Sequence, residues 1–187
     1  MQDLMLTWSE IVAPETPELK SVTIDPTQTA LLVLDLQKNN CNPERRPRCV
    51  NAVPGIRKLI EWARSNSLRV IYSLTSKADL ADILEDVTPL PNDHTVKSSV
   101  DKFFGTDLED HLKQANIDTV IIVGTAAEGA VLHTTAGACM RGFDVVVPVD
   151  GLSSSTLYAE QYTVWHLANS PGTKKRTTLT RMNMISL

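Results

Sequence analysis

Asp35 closes the run Leu31-Leu32-Val33-Leu34, so a carboxyl group follows directly on an apolar strand. In open α/β sheets, ligands bind at the carboxyl ends of the strands, and desolvation there raises a carboxyl pKa. The plainer reading is that Asp35 caps the next turn. A second stretch with chemical potential runs from Asp118 to Ala138, DTVIIVGTAAEGAVLHTTAGA. It reads as a buried strand, a tight loop and a helix. Gly124 permits a sharp exit, and Thr125, Ala126, Ala127, Gly129 and Ala130 are small enough for a ligand to approach the backbone. A helix starting near Glu128 turns its free N–H groups toward that loop, which makes an oxyanion or carboxylate cradle. The same residues would equally serve an ordinary strand-to-helix turn.

Residues 38–49, KNNCNPERRPRC, carry Lys38, Arg45, Arg46 and Arg48 against one acid, Glu44. Such a loop attracts an anionic substrate, or it forms solvated surface or a subunit contact. Cys41 and Cys49 share it. Nearby arginines lower a thiol pKa, while buried inert cysteine is the commoner fate. The three cysteines (Cys41, Cys49, Cys139) are an odd number with no C-x-x-C. That argues against a disulfide framework or zinc knuckle and for a reducing cytoplasm. Lys97 lies in extended chain ahead of Phe103 and Phe104, which read as core anchors. By itself a lone lysine is a surface residue.

The elements that must position these groups alternate strand and helix. TALLVLDLQ (29–37) is the first core strand. Val50, Val53, Ile56, Leu59, Ile60 and Ala63 follow helical spacing, with Pro54 early in the helix. LRVIYSL (68–74) is the second strand, and a long polar connection, 75–95, follows it. Thr106 and Glu109 form a T-x-x-E capping box opening a helix with Leu108, Leu112 and Ala115 on one face. Asp144 to Val149 is a further strand, Tyr158 to Asn169 a helix stopped by Pro171-Gly172, and Thr177 to Thr180 a last short strand. The alternation predicts a parallel sheet between helix layers, with right-handed crossovers. Residues 1–28 read as a proline-bearing arm packed on the body or on a partner subunit.

Composition narrows the function classes. At 187 residues, 42% hydrophobic and 21% charged, the chain reads as one globular domain, 1–187. A net charge of -4 gives no broad nucleic-acid footprint. No apolar run reaches membrane-spanning length, and the start lacks the pattern of a signal peptide.

With these residues in view, the chain resembles the isochorismatase-like hydrolase superfamily, also called the cysteine hydrolases, from about residue 24 onward. The resemblance rests on ALLVLDLQ, on K-x-x-x-x-x-F at Lys97 to Phe103 followed by FGTDL, on VIIVGTAAEGAV, and on A-x-x-x-G-F-x-V-V-V-x-x-D from Ala138 to Asp150. It implies a three-layer α/β/α sandwich with a mostly parallel sheet of five to six strands. It also implies an Asp, Lys, Cys triad, with Asp35 and Lys97 matching the first two. The cysteine position, six residues after Gly124, is Ala130. Family amidases use the thiolate as nucleophile and loop N–H groups for the oxyanion, so that covalent route is closed here. Isochorismatases proper resemble this variant: they carry glycine at the position and cleave a vinyl ether with the aspartate as general acid. Loss of catalysis with retained binding or scaffolding is the alternative, as is an alanine substituted for a natural cysteine, or a displaced thiol from Cys41.

The resemblance further implies a cis peptide near Thr125-Ala126, with the N–H groups of Ala126 or Ala127 and Ala130 converging on the ligand. Gln37, Thr125 and Phe103 complete the expected substrate-binding set. The nicotinamidase branch uses an Asp and His cluster after the first strand. None of His94, His111, His133 or His166 falls there, so no metal and no cofactor are expected. The expected partners are a small, anionic substrate and further copies of the chain, as a dimer or tetramer touching through the arm and the Trp165 helix.

Overall fold

The computed structural model describes residues 3–187. Its main sheet has seven strands in the order β4-β3-β2-β5-β6-β8, with β7 also paired to β5. The strands are β2 (Thr29–Leu34), β3 (Arg69–Leu74), β4 (His94–Lys97), β5 (Thr119–Thr125), β6 (Asp144–Pro148), β7 (Leu152–Ser153) and β8 (Thr177–Thr180). Every ladder among them is parallel. The expected five to six strands become seven because β4 and β7 are too short to leave an apolar run in the sequence. A separate parallel pair joins β1 (Val22–Thr23) to β9 (Ile185–Ser186).

Strand alternation sorts the core into two layers. Ala30, Leu32 and Leu34 of β2, with Val120 and Ile122 of β5, face one cluster that also holds Leu112, Ala138 and Leu167. These last come from α2 (Leu108–Gln114), α3 (Leu132–Met140) and α4 (Leu157–Asn169). Leu31, Val33, Ile121 and Val123 face the opposite cluster, with Val53, Ile56 and Ile60 of α1 (Pro47–Ser65). The α/β fold expected from the alternation is therefore present, with helices on both faces of the sheet.

Several local expectations are corrected. Thr106 does not form the expected capping box. Its Oγ1 accepts from the Leu108 N–H and donates to the Lys102 carbonyl, and Glu109 instead pairs with Lys113 and Arg141. Phe103 is buried, stacked on Phe143 and beneath the Arg141 guanidinium, but Phe104 is exposed. Cys41 and Cys49 are joined in a disulfide, against the expectation of free thiols. The loop after β2 folds back onto the start of α1, which brings the two cysteine Cα atoms to 5.4 Å; spacing alone does not reveal this.

Candidate active site

β2 is the central strand, and its last residue, Leu34, registers with Ser73 on one side and Gly124 on the other. Asp35 therefore emerges between two strand ends. Its φ is +53°, a left-handed conformation that aspartate tolerates better than most residues. Asp35 is buried, its side chain 6% exposed. One oxygen accepts from the Ser73 hydroxyl at 2.7 Å, and the same hydroxyl oxygen accepts from the Asp35 N–H at 3.2 Å.

The other carboxyl oxygen accepts from Nζ of Lys102 at 2.8 Å. Lys102 is 0% exposed, and its ammonium also donates to the Ser98 and Ser99 carbonyls. Three acceptors thus satisfy the three ammonium donors. The segment after β4 carries Lys102 inward because its backbone is pinned to α3: the Lys102 N–H donates to Thr134 Oγ1, and that hydroxyl donates to the Val100 carbonyl. Lys97, the lysine expected here, sits on the edge strand β4 and pairs instead with exposed Asp79 at 3.2 Å. Burial pushes the Asp35 carboxyl above the usual carboxylate range. The Lys102 charge and hydrogen bond, the Ser73 hydroxyl and the Arg46 charge pull the other way without cancelling it.

Gly124 lets the cradle form. Its φ is +129°, and a Cβ there would lie 2.1 Å from the Leu34 carbonyl oxygen. The Thr125-Ala126 peptide is cis. Ala127 to Val131 then make a wide π-type turn leading into α3. The Gly129 and Val131 N–H groups return to the Ala126 carbonyl, whereas those of Ala127 and Glu128 meet no acceptor among the described residues. Ala130 is 3% exposed and packs in the core on this face of the sheet.

Other expected site residues have structural partners. Gln37 donates to the Ser73 carbonyl and accepts from the Thr75 N–H, tying the ends of β2 and β3. Thr125 Oγ1 donates to the Ser153 carbonyl. Phe103 lies in the core. No free thiol substitutes at position 130: Cys41 and Cys49 are bonded to each other, and Cys139 faces Thr173 and Thr177. No cluster of three or more metal-ligating side chains occurs among the described residues.

Two groups were missed by sequence reading. Lys102 carried one signal, its place between polar Asp101 and the aromatic pair. Glu128 accepts from the Ser154 hydroxyl at 2.6 Å, while the Ser154 N–H donates to buried Glu160, which Arg48 grips through two nitrogens. This network fastens the cradle to α4.

Comparison with known proteins matches residues 29–178 to the Isochorismatase domain. An isochorismatase family protein of Bacillus subtilis, YwoC, is 26% identical over 160 residues, covering 73% of this chain and 83% of that one. N-carbamoylsarcosine amidase of Arthrobacter sp is 23% identical over 159 residues, 70% of this chain and 60% of that protein. Among solved structures, a cysteine hydrolase from Pseudomonas syringae superposes with a TM-score of 0.76 at 20% identity, covering 90% of this chain and 95% of that one. A nicotinamidase from Staphylococcus aureus gives 0.71 at 23% identity, covering 83% and 99%.

Proposed function

From the premise that this chain belongs to the isochorismatase family, we propose that it is a family hydrolase that works without a thiol on a small anionic metabolite. Asp35 is the proton donor, and Lys102, not Lys97, is its electrostatic partner. The observation that carries this reading is the buried Asp35–Lys102 pair beside free cradle N–H groups. Alanine at 130 leaves no nucleophile, which suits cleavage of a vinyl ether better than of an amide.

In that reaction the Asp35 carboxyl protonates the terminal carbon of the double bond. The π electrons form the new C–H bond, and the ether oxygen stabilises the cationic carbon. Water adds there and returns a proton to Asp35. The resulting hemiketal collapses to a carbonyl compound and an alcohol. Burial supports the donor role because it raises the carboxyl proton affinity.

A second reading is a non-catalytic member that binds a metabolite or scaffolds an oligomer. Its specific support is closure: Asp35, Lys102 and Ala130 are all nearly without solvent contact. Exposed Leu6 and Trp8 of the arm, with Leu157 and Tyr158 of α4, offer contacts for a homo-oligomer. The Cys41–Cys49 disulfide removes the ground on which a reducing cytoplasm was expected; no helix among the described residues is long and apolar enough to cross a membrane.

The test is turnover of a panel of vinyl ethers and amides by the parent chain, Asp35→Asn and Lys97→Met. The hydrolase reading expects activity that Asp35→Asn abolishes and Lys97→Met leaves intact. Equal activity in Asp35→Asn refutes Asp35 as donor, and no turnover by the parent chain favours the second reading.

A further inference from the structure

Two histidines clasp the foot of the segment that carries Lys102. The imidazoles of His94 and His111 are stacked, with ring centroids 3.9 Å apart and planes 7° from parallel. His94 opens the edge strand β4, and His111 lies on α2. His94 Nε2 lies 3.0 Å from Asp107 Oδ1, so the ring carries a hydrogen on that nitrogen and donates it to the carboxylate. Asp107 is the N-cap residue of α2. Positions 94 and 107 are thereby joined, and the chain between them closes into a loop. Inside the loop the Ser98 hydroxyl reaches the Asp101 and Phe104 carbonyls, and the Thr106 hydroxyl donates to the Lys102 carbonyl. The Lys102 ammonium leaves this loop to meet Asp35.

One carboxylate serves two rings. Asp107 faces His94, and no other carboxylate among the described residues is within ion-pair distance of either imidazole. Asp93, next to His94 in the chain, is taken by Arg64. Arg69 of β3 adds a further positive charge. Burial first, and then the His94 and Arg69 charges, lower the proton affinity of His111, with the Asp107 charge opposing them. The arrangement accommodates one proton, because an imidazolium at His94 rests between a carboxylate and a neutral ring. A second proton sets two cations face to face with a single counter-charge, at a separation where their repulsion is strong. Because the folded value of His111 lies below the unfolded imidazole value of about 6.5, its contribution to stability is complete above that pH. It is lost as pH falls through the folded value.

We propose that the His94–His111 stack is a proton-operated latch on the Lys102 segment: it holds with no proton or one, and a second proton parts the rings and loosens residues 98–106 from the sheet edge. The latch acts on the partner of Asp35 without touching Asp35 itself. Acidification therefore controls whether the buried pair is assembled. That regulatory consequence rests on the hydrolase reading of the pair; the opening itself does not.

The experiment records imidazole Cε1–H signals and backbone amide exchange of the full chain between about pH 7.5 and about pH 5, which brackets the imidazole range. Exchange is expressed as protection relative to an unstructured chain, which removes the direct effect of pH. The Ser98 amide donates to the Leu74 carbonyl and the Lys102 amide to Thr134, so both report on the segment. Their protection is expected to fall about tenfold or more as the His111 ring takes its proton, while that of Leu32 in β2 holds. His111→Phe, which keeps a ring to stack and cannot charge, should hold both amides protected throughout. His111→Gln should make their protection independent of pH, whatever its level. Constant protection in the parent chain overturns the proposal. So does an equal fall in His111→Phe, because the proton then acts elsewhere, Asp35 included. Turnover is not the readout: a latch that opens in a chain without hydrolase activity supports this proposal and counts against the hydrolase reading alone.

Discussion

Replacing Lys102 with methionine tests the central pair most directly. The substitution removes a positive charge with no solvent contact and leaves the buried Asp35 carboxylate with only the Ser73 hydroxyl as a hydrogen-bond donor. It also takes a donor from the Ser98 and Ser99 carbonyls. Breaking a buried ion pair from one side costs about 3–5 kcal/mol near neutral pH, because the remaining charge is uncompensated. Combining it with Asp35→Asn removes that charge, so the double variant should be more stable than the sum of the two single losses predicts, by roughly 1–3 kcal/mol. Lys97→Met, which breaks only an exposed pair with Asp79, should stay within about 0.5 kcal/mol of the parent. Urea unfolding monitored by circular dichroism measures all four. Equal costs for the two lysines, or simple additivity of Lys102→Met and Asp35→Asn, would refute the argument that Lys102 is the ammonium that completes this site.

Gly124→Ala forces a Cβ against the Leu34 carbonyl at a φ of +129° and should cost about 4 kcal/mol or more, read from the shift in urea midpoint; a parent-like midpoint would contradict the close approach of β2 and β5. Reducing the Cys41–Cys49 bond, which spans eight positions, should lower stability by about 2.5 kcal/mol on the chain-entropy estimate, and an unchanged melting temperature with dithiothreitol would count against the bond. The pH dependence of Asp35 has an unusual sign. Its folded pKa is raised, so its stability contribution is complete below the unfolded carboxylate value of about 3.9 and is lost as pH rises through the folded value. Asp35→Asn should therefore remove a decline in stability with rising pH, and a stability–pH curve of the same shape in parent and variant would contradict the shift.

The strand ends were legible because burial writes itself as apolar runs. Leu31 to Leu34 followed by Asp35, and Val120 to Val123 followed by Gly124, place a carboxyl group and a small-residue loop at one edge of a sheet on sequence pattern alone. The lysine was not legible. Lys97 and Lys102 lie on one segment, and what separates them is where the chain after β4 turns. That turn is fixed by Thr134 of α3, a partner distant in sequence. The inward course of Arg46, which is buried although Arg45 and Arg48 lie at the surface, was hidden for a similar reason: a run of basic residues reads as solvated surface, and only the closure onto α1 buries one of them. Phe103 and Phe104 look equivalent in sequence, yet one packs on Phe143 and the other faces water.

The Ser73 hydroxyl has one hydrogen and no acceptor beyond Asp35. The Asp35 amide can only give, so Ser73 oxygen must receive from it, and the hydroxyl hydrogen is left to point at the carboxyl oxygen. Each carboxyl oxygen of Asp35 thus already receives one hydrogen, one from a serine on the neighbouring strand and the other from the Lys102 ammonium. A transferable hydrogen can occupy only the lone pair that either oxygen has left, so the way Asp35 can hand it over is set by two neighbours that take no part in the exchange.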